Sequence, residues 1–474
     1  MTINKATYII IAVLAATVQT TVAQTLTINE CIKMALGDDN KQLIKSRMKE
    51  EQMDYEVKAY KSNFYPRINL FAADFYSTAS ADLTISGGQL PIYNFSAAAG
   101  TYVPNVTINA DGSYSLNQYA LFPDQTMKLK LKNMFIGGVS ITQPIYMGGK
   151  ITAAYEMAQL GKEMTQVSTS LTRDEVIVET VEAYMLAVKA KEMIEVAQKY
   201  HALLEELKKN VESAFSHGLK TRNDVMKVQV KLNESELNIS KAENAYRLAK
   251  MNLCHHIGKA LTDNIDVTSN DIDHLATNTP ISQGIDISSR PEYTLLNQQL
   301  EMASRQVKLT RSDYLPQVVA IGSYNYANGG ELAGKRLIDN GAATVGVGVK
   351  VPLFTFGESR NKIRSAKAKQ IIAQTEQADL NEQMMLEQQQ ALNNLDEAQK
   401  EVKLTTSAFT QAEENMRLSK QQYEVGYESL SDYLESQAMW QQAYAAKVEA
   451  QCQQILQQYK YLKSRGQIQI HQSN

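Results

Sequence analysis

The sequence predicts a mainly α-helical protein with a small β part, built as an internal duplication, and three features carry that prediction. All nine prolines of the 474 residues fall within positions 66–144, 280–291 and 316–352, which leaves 145–279 and 353–474 free of proline. Proline costs about 3 kcal/mol inside a helix and removes a ladder donor from a sheet, so proline-free runs rich in Ala, Glu, Gln, Lys, Leu and Met are long helices. Next, Gly138-Val139-Ser140-Ile141-Thr142-Gln143-Pro144-Ile145-Tyr146 recurs 208 positions later as Gly346-Val347-Gly348-Val349-Lys350-Val351-Pro352-Leu353-Phe354. At that same offset Phe215, Gly218, Asp224 and Gln229 meet Tyr423, Gly426, Asp432 and Gln437. Finally, Val345, Val347, Val349 and Val351 alternate with Thr344, Gly346, Gly348 and Lys350, the period of a strand with one apolar face.

Taken in order, the chain opens with Lys5, an apolar run from Tyr8 to Ala16, and small residues up to Ala23. This is the pattern of a secretory signal peptide over residues 1–23, its apolar run too short to span a bilayer. Position 24 is Gln rather than Cys, so N-terminal lipidation is not expected. Repeat one is then expected at about 24–270 and repeat two at about 280–474. Phe64-Tyr65-Pro66 resembles Tyr314-Leu315-Pro316 at an offset of 250, so the first copy carries 42 extra residues. That insertion, roughly 77–127, is rich in Ala, Ser, Tyr, Asn and Gly, holds Pro91, Pro104 and Pro123, and is expected to be loop. Each repeat therefore has the order helix, strand, loop, strand, long helix, tight turn, helix.

Strands are expected at about 66–76, 128–144, 316–326 and 342–352. Phe64, Tyr65, Tyr146, Tyr314, Phe354 and Phe356 stand at their ends, where the aromatic girdle of an outer-membrane barrel would lie. No stretch after the signal reaches the length of a transmembrane helix, so strands are the available route into lipid. Four strands cannot close a barrel, because the smallest closed ones use about eight; membrane insertion would require several chains to share one barrel. The run from Lys150 to His217 would span ~100 Å as a helix at 1.5 Å per residue. Ile177, Val181, Tyr184 and Val188, then Leu204, Leu207, Val211 and Ala214, keep the spacing of a coiled-coil seam.

Composition excludes other classes. Lys and Arg number 48 against 51 Asp and Glu, a net charge of −3, which does not suit a nucleic-acid binder. Cys31, Cys254 and Cys452 lie far apart without a CxxC pair and are expected to be small buried residues. His255-His256 is the one adjacent histidine pair, and neither HExxH, GxSxG nor a phosphate-cradling Gly loop accompanies it. Neither catalysis nor a cofactor is expected.

Leu26-Thr27-Ile28-Asn29-Glu30 with Ala35-Leu36, Ser289-Arg290-Pro291-Glu292, Tyr314-Leu315-Pro316, Val351-Pro352-Leu353 and two turns at about 216–221 and 424–429 together resemble the TolC-like outer-membrane efflux protein family. The resemblance runs in order along essentially the whole chain after the signal. It implies a long antiparallel helical coiled-coil tunnel in the periplasm, plus a transmembrane β-barrel shared between three chains with four strands each. It further implies a homotrimeric duct meeting a periplasmic adaptor protein coupled to an inner-membrane pump. By that likeness Gly218, Leu219, Thr221, Asp224, Gly426, Tyr427 and Ser429 are candidates for adaptor docking, and Asp432 and Glu435 for the ring at the periplasmic constriction. The family's Arg two residues after the second turn Gly is Glu428 here, and Lys220, Arg222 or Lys227 are the candidates to replace that latch. Both turns also have a structural reading: Gly218 and Gly426 end helices, while Thr221 and Ser429 cap the next ones. Small-molecule efflux is the function implied. A conduit for type I protein secretion and, in a different class, an exported coiled-coil protein without a pore remain as alternatives.

Overall fold

The computed structural model describes residues 24–268 and 284–468; the signal-peptide expectation for 1–23 lies outside them. In chain order the first half holds β1 (Gln24–Leu26), α1 (Ile28–Ala35), α2 (Lys41–Ser62), β2 (Arg67–Phe75), β3 (Ser80–Ile85), β4 (Gly88–Pro91), β5 (Tyr93–Ser96), β6 (Thr101–Pro104), β7 (Val106–Ile108), β8 (Tyr114–Leu116), β9 (Tyr119–Phe122), β10 (Gln125–Met147), α3 (Lys150–Ser216), α4 (Arg222–His256) and β11 (Ile265–Val267). The second half holds α5 (Pro291–Ser312), β12 (Gln317–Leu332), β13 (Lys335–Lys350), α6 (Glu358–Glu424) and α7 (Leu430–Ser464). Two compact units result, one containing residues up to Lys58, Tyr155–Val307 and those from Lys362 on, the other Ala59–Ala154 and Lys308–Asn361.

In the first unit the duplication is visible as equal helix lengths. α3 and α6 each have 67 residues, α4 and α7 each 35, and α2 and α5 each 22. Each long helix lies beside two shorter ones that continue each other head to tail. Along α3, Lys162 pairs with Asp54 of α2 at 2.7 Å, and His201 Nδ1 lies 2.8 Å from Ser235 Oγ of α4. The joint between α4 and α2 is Asn40. Its Nδ2 donates to the His256 carbonyl at 2.9 Å, while its Oδ1 accepts from the backbone N–H groups of Gln42 and Leu43. One side chain thus satisfies an orphan carbonyl at one helix end and two orphan donors at the next. In the second repeat the Ser289 hydroxyl donates to the Arg465 carbonyl at 2.7 Å, so α7 hands over to α5. Both joints need glycine: at Gly258 and Gly466, φ is +77 and +65, and a Cβ would meet Asp39 and Ser289 backbone atoms at 3.0 Å or less.

The core of this unit lies where the parallel pair β1–β11 and α1 close on the helices. Leu26, Ile28 and Ile32 pack with Val181, Tyr184 and Val188 of α3, Leu253 and Cys254 of α4, and Ile455 of α7. Tyr184 is fully buried, and its hydroxyl donates to the Leu26 and Thr268 carbonyls at 3.1 and 3.2 Å. Lys191 holds the Asp266 carboxylate and the Val267 carbonyl of β11. The Ile177–Val188 stripe therefore faces a small sheet and several helices, where a coiled-coil seam was expected. Spacing reveals that a face is buried, but not by what. Cys31, Cys254 and Cys452 are all buried, and burial pushes the Cys31 and Cys452 thiols up to about 12.

The second unit is a sheet with strand order β13-β12-β10-β2, antiparallel throughout, with β3 continuing the pairing along β10. Residues paired across strands share a face, and the register sorts them. One row is Ile68, Ile141, Gly322 and Val345, and the next on that face is Leu70, Val139, Tyr324 and Ala343. Between them, on the opposite face, lies Asn69, Ser140, Ser323 and Thr344. In these central rows one face is apolar and the other carries hydroxyls and an amide, while Ile321 and Phe71 fall on the second face and Asp74, Asn328 and Asp339 on the first. The apolar face is bare, with Val345 90% and Leu70 80% exposed. Within the described residues β2 and β13 each pair on one side only, so the sheet ends in two open edges.

The 77–127 segment departs from the loop expectation. It forms β3 to β9, with β4–β9, β5–β6 and β7–β8 as three nested hairpins. Backbone bonds from Ile92 to Gln118, Asn105 to Ile92 and Asn117 to Asn105 tie the branches at their junction. Three prolines and frequent Gly and Asn obscured strands only three to six residues long, too short for a compositional window to resolve.

Candidate functional site

The two expected turns are built alike. After α3, Gly218 takes φ +73, its N–H bonds the Phe215 carbonyl at 2.9 Å, and the Leu219 N–H bonds the Ala214 carbonyl at 2.8 Å. After α6, Gly426 takes φ +84, its N–H bonds the Tyr423 carbonyl at 3.1 Å, and the Tyr427 N–H bonds the Gln422 carbonyl at 2.9 Å. Both are Schellman motifs with glycine in the left-handed position, which spares the side chain–backbone clash of an L residue there.

Both following helices are capped three residues ahead of an aspartate. Asp224 N donates to Thr221 Oγ1 at 3.3 Å, and the Thr221 N–H and hydroxyl donate to Asp224 Oδ2 at 3.0 and 2.8 Å. Those bonds hold the Asp224 carboxyl below the usual carboxylate range. Ser429 accepts from Asp432 N at 3.3 Å and donates to Asp432 Oδ2 at 2.7 Å. Asp432 is thus engaged in a helix cap while remaining exposed, and Glu435 is exposed one turn on along the same face of α7.

The structure brings the two turns together. Leu204, Leu207 and Val211 of α3, Val228 of α4 and Leu430, Tyr433 and Leu434 of α7 form one buried cluster. Tyr423 stacks on Tyr433 with ring centroids 5.3 Å apart and an interplanar angle of 16°. Three ties cross between repeats here: Lys220 Nζ lies 4.8 Å above the Tyr423 ring, Lys227 Nζ donates to Ser431 Oγ at 3.2 Å, and Lys420 Nζ of α6 donates to Glu206 Oε1 of α3 at 3.3 Å. Of the three cations named for the missing latch, Lys220 and Lys227 reach the other repeat, through an aromatic ring and a hydroxyl. Glu428 Oε2 is shut off from solvent without a hydrogen-bond partner among the described residues. Sequence reasoning missed the Tyr423–Tyr433 stack, since Ser419 and Lys420 precede Tyr423 by four and three residues and leave it no apolar stripe to mark it. Leu219 and Tyr427 project 78% and 90% exposed from the turn apices. Beside them a cleft of about 560 Å³ opens between α4 and α7, lined by Met226, Lys227, Val230, Lys231, Leu434 and Glu435.

The histidine pair has a structural setting. His256 Nδ1 lies 3.6 Å from Glu179 Oε2, and burial lowers its pKa. Among the described residues no three His, Cys, Asp or Glu side chains gather where they could hold a metal ion, and no helix is long and apolar enough to cross a membrane.

Long duplicated helices ending in capped, apolar-tipped turns, on a chain that also carries an open antiparallel sheet, mark an outer-membrane channel protein. The family model described as outer membrane efflux protein matches residues 32–259 and 288–463, and the chain belongs to that family. It is similar to the outer membrane efflux protein BepC of Brucella suis biovar 1, with 20% identity over 87% of this chain and 84% of that one. Among solved structures it resembles the CmeC outer membrane channel of Campylobacter jejuni, with a TM-score of 0.67, 17% identity, and coverage of 94% of this chain and 87% of that one. The outer membrane protein VceC of Vibrio cholerae matches with a TM-score of 0.66 and 16% identity over 93% of this chain and 96% of that one. The protein's place is the outer membrane and its work is efflux; the family consists of channels, not enzymes, and its members work within tripartite efflux systems.

Proposed function

We propose that three copies of this chain form the passive exit duct of a tripartite efflux system for small molecules, closing β2, β10, β12 and β13 of each into one twelve-stranded barrel. The observation that carries this reading is the sheet: bare apolar rows on one face, a row of hydroxyls and an amide on the other, and two open edges. Unpaired edges do not persist in hydrocarbon, so strands that meet lipid must find partners on other chains. The apolar row through Ile68, Ile141 and Val345 then contacts outer-membrane lipid, and the row through Asn69, Ser140, Ser323 and Thr344 lines the lumen.

The helical turns are the working end toward the periplasm. Leu219 and Tyr427 are exposed apolar side chains on rigidly capped turns, a form suited to docking the adaptor that links the duct to an inner-membrane pump, with Gly218, Thr221, Asp224, Gly426 and Ser429 fixing their geometry. Asp432 and Glu435 form the constriction; their exposure on one face of α7 supports this, and symmetry would set like charges around an aperture that favours cations. The Lys220–Tyr423 and Lys227–Ser431 ties hold the turns closed in the absence of the adaptor. The duct itself binds no cofactor and performs no chemistry; energy comes from the pump.

Single-channel conductance of the purified protein in a planar bilayer tests this. Lys220→Ala with Lys227→Ala should give larger or longer-lived openings than wild type. Asp432→Ala with Glu435→Ala should weaken block by multivalent cations added from the side of the turns. Silence from wild type and the lysine variant, with intact oligomers in the sample, would remove the duct; unchanged cation block would remove the acidic ring alone.

A further inference from the structure

The insertion between β2 and β10 is folded yet has no core. No residue from 77 to 124 is buried, although seven strands, nested hairpins and a ladder of side-chain bonds give it a defined form. The two terminal hairpins are each two-faced. In β5–β6, Tyr93 opposes Pro104 and Phe95 opposes Tyr102 on one face, while Asn94 with Val103 and Ser96 with Thr101 lie on the other. In β7–β8, Val106 opposes Leu116 and Ile108 opposes Tyr114, with Thr107 and Ser115 behind them. The polar side of β7–β8 is internally bonded: Thr107 Oγ1 donates to Asn117 at 2.6 Å, and Asn109 donates to Ser113 and Ser115 at 2.9 and 2.8 Å. The apolar faces have no covering layer, and Tyr102 and Tyr114 are 68% and 70% exposed.

Period-two alternation with one apolar face belongs to a half-buried sheet, and an isolated two-stranded hairpin is marginal in water. We infer that a second copy of this chain supplies the missing layer, the apolar faces of β5–β6 and β7–β8 packing between copies. Charge favours this occupant. Residues 77–124 carry Asp82, Asp111 and Asp124 and no Lys, Arg, His or Glu, and permanent interfaces between like chains are depleted of charge in this way. Side-chain type favours it too. Aliphatic groups such as Val106, Ile108 and Leu116 complement another apolar protein face, whereas a glycan would be met by rings and amides alone. Continuity with the sheet is the remaining reason: β3 extends the β2–β10 pairing directly into the insertion, so chains that share a barrel carry their insertions side by side. In that respect the inference rests on the shared-barrel reading.

The test uses the full-length protein in outer membranes and purified in detergent, with the photocrosslinker p-benzoylphenylalanine replacing Tyr102 or Tyr114 on the apolar faces, or Ser115 on a polar face. Native mass of each sample reports the oligomer. An intact oligomer with chain-to-chain adducts mapping to residues 77–124, several-fold more abundant from 102 and 114 than from 115, supports the inference. An oligomer lacking those adducts, or giving them equally from 115, overturns it and leaves the duct standing. Adducts to another protein or to glycan also overturn it and identify the true cover. A monomer overturns the shared barrel and the inference together. Hydroxyl-radical footprinting of the unsubstituted protein gives a readout independent of the substitutions: Tyr93, Phe95, Tyr102 and Tyr114 should be oxidised several-fold less than Tyr427, and equal oxidation would count against the packed faces.

Discussion

Thr221 and Asp224 exchange three hydrogen bonds at the start of α4, and two of them end on the Asp224 carboxylate, which links a titratable group to the order of the turn. The folded carboxyl titrates below its ordinary value, so it stabilises the cap above the unfolded carboxylate pKa of about 3.9 and loses that contribution as pH falls through the lower folded value. Hydrogen exchange at Thr221 and Asp224, whose N–H groups the cap holds, should therefore be protected evenly from neutral pH to about pH 4 and deprotected below it. Thr221→Ala should cost about 1 kcal/mol of local protection and weaken that acid dependence, while the Thr221 backbone N–H still donates to the Asp224 carboxylate. Asp224→Asn should abolish it, and an acid profile unchanged in Asp224→Asn would show that another carboxylate orders the turn. The candidate residues here were legible because caps are written locally: Gly218, Thr221 and Asp224 lie within seven positions of one another. The Tyr423–Tyr433 stack and the Lys220 and Lys227 ties were not, since each partner is chosen by how helices meet.

At the scale of elements, the duplication was readable to the residue. A 208-position offset found between prolines and turns reappears as helix pairs of 67 and 35 residues, because both copies must span the same distance with the same number of turns. The head-to-tail joints were hidden, since Asn40 finds His256, and Ser289 finds Arg465, across well over a hundred residues. The insertion was read as loop because its strands are shorter than the window in which alternation can be recognised. The joints make a direct prediction. Gly466→Ala adds a Cβ 2.5 Å from the Ser289 carbonyl oxygen to the strain of φ +65, whereas Gly218→Ala at φ +73 meets nothing within 4 Å. Gly466→Ala should lower thermal stability in detergent by roughly 1–3 kcal/mol, and Gly218→Ala by no more than about 1 kcal/mol. Equal losses would mean that the joint yields to accommodate the methyl group.

For the whole molecule, the two faces of the sheet decide how the chain meets its surroundings. Val345 and Thr344 are neighbours on β13 that point opposite ways. Val345→Arg should reduce the folded fraction recovered in outer membranes, with a penalty of roughly 2–4 kcal/mol if it lies near the bilayer midplane, whereas Thr344→Arg should be tolerated and alter conductance instead. Equal recovery of both variants would remove the facial assignment. The splice at Asn40 and Ser289 also has a hereditary consequence. Since α4 and α7 end at a joint, paired insertions of whole heptads into the distal part of α3 with α4, and of α6 with α7, would change the reach of the turns while leaving α2, α5 and their contacts in register. A lineage could thereby lengthen or shorten the helices beyond the joints without refitting the buried core around Tyr184.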